Sequence, residues 1–374
     1  MLPALSQLSL GEESLRERQA DVAASTSILS THTVDWRLHL ATLLIASYLY
    51  SEGVEKTSTD DTSQVDARKK RQDALMHWLR QLGYTLGDTD EWIKVYEYYT
   101  SFESSTRVPL IQVAHVPVLL SSINNKTHNL LIFAGTRDAN LLIESQKVAV
   151  SQDPGTYVKY FRNQADVYQR SFSANFEMME SRQSPKDHLV SLAGSDGFSL
   201  VGGHSLGGGL ASTFVEILPR EFGDFFDGKR PPVVTFGSPF VTGNEHDVHY
   251  VTSIRYGRIR IGNPFMMDPA GFFNKYYALD SVLLLQHAEY SAMNPTDIHL
   301  CYAYLIGLAT LFLKDREVLG IEEDQKAISF LQNLLRTLTK KKGSQGCGHL
   351  FLDYPSVRDD WQYVIPPLLG DKES

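Results

Sequence analysis

The chain has 374 residues, 43% of them hydrophobic, so it can bury a sizeable core as one large α/β domain with additions or as two small domains. Its formal net charge of −9 argues against a nucleic-acid-binding protein, because such proteins usually present a basic face to the phosphates. The same charge argues against electrostatic attraction to anionic lipid, so any contact with a membrane must be apolar.

The amino terminus and the cysteines bear on the compartment in which the protein works. Residues 1–30 have neither a basic start nor a continuous apolar segment with a cleavage site, so no secretory signal peptide is predicted. The longest apolar run, from Leu300 to Leu313, is too short to cross a bilayer and favours a buried helix. With only two cysteines, a reducing compartment is the simpler assumption. We therefore expect a soluble, cytoplasmic protein, and export without a cleaved signal stays open.

The composition divides the chain into three segments. A polar arm is expected over residues 1–34, an α/β domain over residues 35–313 and a helical extension over residues 314–374. Strands alternate with helices through the middle segment, which predicts a mostly parallel sheet flanked by helices. The expected fold class is α/β, with an N-terminal helical arm and a C-terminal helical extension added to the sheet domain.

Within the middle segment, the spacing of apolar residues predicts individual elements. Residues 38–53 and the residues around Trp78 are expected to form two helices. Residues 108–133 predict a hairpin that leads into Gly135. Aromatic residues recur at close to helical spacing over residues 160–179, which predicts a long helix. Further strands are expected at residues 233–236, 254–261 and 282–285.

The stretch around Ser205 organises the chain. Gly203-x-Ser205-x-Gly207 matches the nucleophile elbow of α/β-hydrolases, in which a serine lies on a tight turn between a strand and a helix with its Oγ exposed. Glycine stands two residues to either side because larger side chains would collide there. Residues 198–201 are typical of the strand and residues 206–217 of the helix, so the motif has the context that it requires. Ser205 is therefore predicted to be a nucleophile.

A serine nucleophile needs a base and an acid that orients the base, and in α/β-hydrolases the chain order is serine, acid, histidine. His299, at the start of an apolar helix, is the preferred base, and His349 is held in reserve. Asp268 follows a predicted strand on a loop that should open at the same edge of the sheet as Ser205, so it is the preferred acid. Asp280 is the alternative acid.

Taken together, these residues resemble the class 3 lipase family, the fungal-type triacylglycerol lipases with their phospholipase and esterase relatives. The elbow, with its following Gly208, is one similar segment. Three others are the strand that ends in the family's oxyanion residue, the strand and turn after the elbow, and the histidine segment, at residues 131–136, 235–239 and 299–304. The resemblance covers roughly residues 37–313.

The resemblance implies an α/β-hydrolase fold with a catalytic triad and an oxyanion hole. The implied triad consists of Ser205, Asp268 and His299. The implied oxyanion donors are the backbone N–H of Leu206 and the backbone and hydroxyl of Thr136. The chain departs from the family pattern at Ala134, where arginine is usual. The interval from Asn263 to Asp268 is also longer than the pattern, and the interval from Asp268 to His299 is shorter than in fungal members.

The motifs and the resemblance predict a serine hydrolase that cleaves carboxylic esters of lipids, a lipase or phospholipase A type enzyme, through an acyl-enzyme. Two alternatives stay open: a catalytically silent lipase-like scaffold that binds a partner or apolar ligand, and an acyltransferase that uses the same serine. No metal or organic cofactor is predicted, because no cluster has metal-ligand spacing and no phosphate-binding loop follows a strand. The expected partner is a lipid or other ester substrate, at a membrane or lipid-droplet interface, without nucleic acid or a transmembrane segment.

A lid is expected over residues 139–155, which combine apolar and charged side chains. In lipases that the chain resembles, the segment after the oxyanion residue carries the lid. An amphipathic lid covers the site in water and opens at a lipid surface. A fixed helix packed on the sheet is the alternative. Phe222, Phe225 and Phe226 are expected to form a second apolar lip beside the site.

Overall fold

The computed structural model describes eleven stretches of the chain. They are residues 36–51, 61–86, 92–99, 109–136, 154–170, 177–239, 241, 251–256, 282–285, 301–314 and 324–340. The predicted polar arm and nearly all of the predicted lid lie outside the described residues, and so do Asp268, Asp280, His299 and His349.

The described strands form one sheet. In chain order they are β1 (Tyr84–Leu86), β2 (Lys94–Tyr99), β3 (Ile111–Ser121), β4 (Thr127–Phe133), β5 (Ala165–Arg170), β6 (Glu177–Gln183), β7 (Leu200–His204), β8 (Val233–Phe236), β9 (Val251–Tyr256) and β10 (Val282–Leu285). Their order across the sheet is β10-β9-β8-β7-β4-β3-β2-β5-β6, and β1 pairs with β3 beside this path.

Helices cover both faces of the sheet. In chain order the described helices are α1 (Trp36–Ser51), α2 (Asp61–Gln81), α3 (Gly155–Arg162), α4 (Pro185–Leu192), α5 (Leu206–Ser212), α6 (Leu218–Phe222), α7 (Cys301–Lys314) and α8 (Gln325–Lys340). A π-helical turn, Thr213–Ile217, joins α5 to α6 without a break. None of the described helices combines the length and apolar character needed to cross a membrane.

The sheet is mixed, so the prediction of a mostly parallel sheet is wrong for one half of it. β4, β7, β8, β9 and β10 pair in parallel, whereas β1, β2, β3, β5 and β6 join the sheet in antiparallel pairs. The β3–β4 connection shows the physical reason. It turns within residues 122–126 with Asn125 at φ 54°, and a parallel pair would need a crossover of about a dozen residues or more. The predicted hairpin is confirmed by this pair.

The long helix predicted over residues 160–179 is wrong. α3 ends at Arg162, and Asn163 is already extended, with φ −70° and ψ 144°. Ala165 and Val167 are buried at alternate positions of β5, which then pairs with β6. Tyr160 and Phe161 therefore belong to α3 and Tyr168 to β5, and the near-helical spacing of the aromatic residues spans the break between these elements. Phe172 and Phe176 lie outside the described residues.

Side chains alternate between two cores, one on each face of the sheet. Leu130 and Ile132 of β4 lie in the core beneath α1, α2, α7 and α8, whereas Leu131 and Phe133 lie in the core beneath α3, α4 and α5. α1 is buried on almost every side, as expected of a helix between the sheet and other helices. Arg37 of α1 donates to the carboxylate of Asp324, just before α8, at 2.6 Å. This ion pair fastens α8 to the first described helix.

Two buried histidines lie on and beside the antiparallel half of the sheet. His115 Nε2 lies 2.9 Å from Asn129 Oδ1, and His188 Nδ1 lies 2.7 Å from the Tyr98 hydroxyl. Burial lowers the pKa of each histidine from its ordinary 6.5 to about 4. Burial also raises the pKa of Tyr98. The folded protein therefore keeps both imidazoles neutral at pH values where an exposed histidine is charged.

These pKa values predict a loss of stability in mild acid. Because the folded pKa of each histidine lies below 6.5, the unfolded chain binds more protons as the pH falls from about 6.5 to about 4. Each histidine should cost about 1–2 kcal/mol between about pH 7.5 and about pH 5. Urea unfolding midpoints at the two pH values measure the loss. His115→Gln and His188→Gln should each lose less than the wild type, and an equal loss in all three proteins would contradict the assignment.

Candidate active site

Ser205 lies at the turn between β7 and α5, as the elbow motif predicts. Its backbone has φ 56° and ψ −131°, a conformation that side chains other than glycine rarely adopt. The Ser205 N–H donates to the carbonyl of Phe236 at 2.9 Å, and the Ser205 carbonyl accepts from the N–H of Gly208 at 2.9 Å. These bonds hold the strained residue between the next strand and the first turn of the helix.

Glycine is required at positions 203 and 207 because any side chain there would collide with neighbouring backbone atoms. A Cβ atom on Gly203 would lie 2.4 Å from the carbonyl carbon of Gly207. A Cβ atom on Gly207 would lie 2.3 Å from the carbonyl oxygen of Phe133 and 2.7 Å from that of Ala134. The start of α5 therefore rests directly on the carboxyl end of β4.

The predicted oxyanion residue follows this end of β4. The Ala134 N–H donates to the carbonyl of Gln112 at 2.9 Å, which fixes the chain just before Gly135 and Thr136. The Thr136 Oγ1 is buried and has no hydrogen-bond partner among the described residues. A buried hydroxyl without a partner is costly, so this group has a donor to offer to a ligand atom. The second predicted donor, the N–H of Leu206, belongs to the first turn of α5, where amides lack partners within the helix.

His204, the residue before the serine, lies between two tyrosines. Its Nδ1 is 2.8 Å from the hydroxyl of Tyr50 in the last turn of α1. Its ring also meets Tyr304 of α7 edge-on, with 5.7 Å between the ring centroids. The sequence predicted nothing for Tyr50, which is 154 positions away from its partner. The one available signal was a tyrosine in the last turn of a mostly apolar helix, since a buried tyrosine hydroxyl usually finds a partner.

Two polar side chains lie on the same face of the sheet as Ala134, one on each of the next two strands, β3 and β2. Glu97 of β2 pairs with Gln112 of β3, whose carbonyl accepts the Ala134 N–H. Ala134 and His204 each follow the last paired residues of β4 and β7, Phe133 and Gly203, so these residues continue one row across the sheet. Gln112 Nε2 donates to Glu97 Oε1 at 2.6 Å, and the Tyr99 hydroxyl also donates to Glu97. The arginine usual in the lipases that this chain resembles would enter this row at Ala134. Here a neutral amide and a buried carboxylate support the neighbouring strand.

The predicted acid and base lie outside the described residues, but the elements that flank them are described. β9 ends at Tyr256, and it reaches the same edge of the sheet as β7 because the strands between them pair in parallel. α7 begins at Cys301, two residues after His299, and its Tyr304 touches His204. The roles of Asp268 and His299, and of the reserves Asp280 and His349, stay predictions.

Phe222 does not form a lip beside Ser205. The continuous helix from Leu206 to Phe222 rises about 1.5 Å per residue, which carries Phe222 about 25 Å from the elbow. Its ring lies 5.9 Å from the Arg162 guanidinium and 5.8 Å from the Lys186 ammonium. Phe226 is buried in the core beneath α5. The predicted second lip is therefore wrong for Phe222, because the helix runs away from the site.

Among the described residues, no group of three histidine, cysteine, aspartate or glutamate side chains is placed to hold a metal ion. The chemistry that the described site offers is a serine hydroxyl on a strained turn, beside a buried threonine hydroxyl and the amides of a helix start. This arrangement suits nucleophilic attack on a carbonyl whose oxygen gains charge.

Comparison with known families agrees with this geometry. The family model described as Lipase (class 3) matches residues 133–264, about a third of the chain. No curated protein and no solved structure matches the chain. The matched segment begins at the last residue of β4, includes Thr136 and the elbow, and ends beyond β9. The predicted resemblance to the class 3 lipase family is therefore confirmed over the segment that joins the end of β4 to Ser205 and to the two strands that follow it.

Proposed function

We propose that this protein is a serine hydrolase that cleaves the carboxylic esters of lipids, as a lipase or a phospholipase A type enzyme. The observation that carries the proposal is the strained turn at Ser205, which is pressed against the end of β4. The chain after β4 carries the buried Thr136 hydroxyl, which has no hydrogen-bond partner among the described residues. A backbone conformation that costs about 1–3 kcal/mol is kept where the surroundings enforce it, and such residues cluster at active sites. The class 3 lipase match over the same segment supports ester hydrolysis.

The mechanism follows from the roles that the chain order implies. His299 takes the proton of Ser205, whose Oγ attacks the ester carbonyl. The oxyanion accepts hydrogen bonds from the Leu206 N–H and from the Thr136 N–H and hydroxyl. Asp268 holds the imidazole, which then gives its proton to the departing alcohol. Water, deprotonated by the same histidine, attacks the acyl-enzyme, and the imidazolium returns that proton to the Ser205 Oγ as the fatty acid leaves. The reaction therefore needs no cofactor.

The lipid substrate is supported by the residues between the oxyanion strand and α3. Residues 139–155 combine Leu141, Leu142 and Ile143 with the charged side chains of Glu144 and Lys147. A segment of this composition gains free energy when its apolar side faces a lipid surface instead of water. We propose that it is the lid, and that the substrate is reached at a membrane or lipid-droplet surface.

Ser205→Ala should abolish hydrolysis of a short-chain chromogenic ester and leave the fold intact, because it deletes only one Oγ at the turn. Loss of the nucleophile typically lowers kcat by about 10⁶-fold in a triad enzyme. Ser212→Ala is the matched control, since Ser212 lies on the same helix and donates to the carbonyl of Gly208 at 3.0 Å. Covalent labelling by a fluorophosphonate, read by intact mass, should be lost in Ser205→Ala alone. Activity of Ser205→Ala within about tenfold of wild type would contradict the assignment of Ser205 as the nucleophile.

The base and the acid are tested by two matched pairs of variants. His299→Ala and Asp268→Asn should abolish turnover of the same ester, because the serine then lacks a base or the base lacks its orienting carboxylate. His349→Ala and Asp280→Asn should retain most of the wild-type kcat. Steady-state kinetics with purified proteins decide, and a reversed outcome within either pair would transfer that role to the reserve residue.

The lid predicts interfacial activation. When a mid-chain glyceride is raised through its solubility limit, the rate should jump as aggregates form, because the lid's apolar face then has a lipid surface to meet. A fully soluble ester over the same concentrations serves as the control and should saturate smoothly. Smooth saturation with the glyceride, without preference for aggregates, would support a fixed helix in place of a lid.

A further inference from the structure

The side chain of Tyr50 touches both halves of the candidate site. Its hydroxyl shares a hydrogen bond with Nδ1 of His204 at 2.8 Å, next to the serine in the chain. It also fills the space above Gly135, where a Cβ atom would lie 1.6 Å from the Tyr50 hydroxyl oxygen and 2.6 Å from its Cζ. The same Cβ would lie 2.8 Å from the carbonyl oxygen of His204. One ring tip is therefore wedged between the residue before the elbow serine and the residue before Thr136.

This contact spans two elements that must keep a fixed spacing. An oxyanion donor works when it lies within hydrogen-bond distance of the charge that develops on the substrate, so a small displacement of Thr136 from Ser205 is costly. The Thr136 hydroxyl has no hydrogen bond of its own among the described residues and depends on its backbone for placement. Gly135 supplies that backbone, and Tyr50 limits how it can move.

The His204 ring transmits the same constraint to the serine. It is buried, and it meets Tyr50 and Tyr304 edge-on, at 5.6 Å and 5.7 Å between centroids. The two tyrosines come from α1 and α7, so the ring is held between helices on the face of the sheet opposite to α5, the helix that follows the elbow. Because the His204 ring is held from both sides, it fixes the peptide bond between His204 and Ser205, and with it the backbone of the strained serine.

We infer that Tyr50 is a positioning residue for ester hydrolysis: its hydroxyl, through His204 and Gly135, sets the distance between the Ser205 nucleophile and the Thr136 oxyanion donor. The inference rests on the proposed function. It assigns to Tyr50 a role in the step from the bound ester to the acyl-enzyme, with no contact to the reacting atoms required.

Tyr50→Phe keeps the ring and removes the hydroxyl, so it tests the hydrogen bond directly. With a soluble ester, kcat should fall by about tenfold to a hundredfold while KM changes by less than about twofold, because the bound substrate is unaffected and the oxyanion is misplaced. The rate of fluorophosphonate labelling at Ser205 should fall in parallel. Tyr48→Phe, which removes a hydroxyl from the same helix in the buried core, should behave as wild type in both assays.

A double-mutant cycle separates positioning from general damage to the fold. His204→Leu removes the partner of the Tyr50 hydroxyl, and Tyr50→Phe/His204→Leu should be no slower than the slower single variant, since both break one interaction. His204→Asn retains a polar atom near the Nδ1 position and should recover part of the kcat lost in His204→Leu. Thermal unfolding of each variant shows whether the comparison concerns folded protein. Should Tyr50→Phe fail to fold, the His204→Asn and His204→Leu pair carries the test alone.

Additive losses in the cycle, a Tyr50→Phe kcat within about twofold of wild type, or a loss confined to KM would overturn the positioning role while leaving the hydrolase in place. Equal kcat in His204→Asn and His204→Leu would do the same. A wild-type protein that neither hydrolyses esters nor reacts with the fluorophosphonate would overturn the proposed function itself.

Discussion

The parallel pairing of β4 with β7 is the constraint on which the candidate site depends. Leu130 to Phe133 pair with Leu200 to Gly203, so the two strands end side by side at one edge of the sheet. The chain after β4 runs on towards Thr136, and the chain after β7 turns through Ser205 into a helix. Because both leave the sheet at the same level, α5 can begin only where its first turn clears the end of β4. Gly207 meets that requirement, and the carbonyls of Phe133 and Ala134 occupy the space that its side chain would need.

The antiparallel half of the sheet supports this edge from the other side. Gln112 enters β3 at the level where β4 ends, and its carbonyl accepts the Ala134 N–H. Its side chain is bound in turn by Glu97 of β2. Burying a polar side chain is costly unless it is hydrogen-bonded, and Gln112 and Tyr99 donate to the buried Glu97 side chain. The hairpin architecture thus brings a polar support under the end of β4 from residues that a fully parallel sheet would not place there.

Local patterns in the sequence predicted the parts of the fold that depend on local physics. The glycine spacing around Ser205, the β3–β4 turn and the apolar helix α7 each follow from a few neighbouring residues, and all three lie where they were expected. The aromatic spacing after Tyr160 led to a wrong prediction, because it continues past Arg162, where α3 ends and β5 begins three residues later. The mixed character of the sheet was hidden as well, since pairing direction is decided by connections that the alternation of elements does not encode.

In the candidate site, too, the residues that could be predicted are those whose determinants are close in the sequence. The position of Ser205 was predictable because the elbow places all of its conditions within five residues. Thr136 was named only through the resemblance to the class 3 lipase family, and its oxyanion role stays a prediction. Tyr50 was not predictable, because its partner His204 is 154 positions away and nothing in the sequence of α1 specifies where its last turn points. Only the assembled sheet, with α1 lying across β7 and β4, brings that hydroxyl to the elbow.

The strain at Ser205 is sustained by the helix that follows it. Phe214, in the π-helical turn after α5, is fully buried and its ring contacts Phe133, Phe161, Phe198, Phe225 and Phe226 at centroid distances from 5.6 to 6.4 Å. Burying such a side chain contributes about 1.5–3 kcal/mol, and each aromatic pair adds about 0.5–1.5 kcal/mol. The left-handed backbone of a non-glycine residue costs about 1–3 kcal/mol. A single buried phenylalanine therefore offsets the cost of the turn. The two faces of the sheet contribute differently to the site. The aromatic core beneath α5 fixes that helix on the sheet, and the polar row beneath α1 orients the residue that precedes α5.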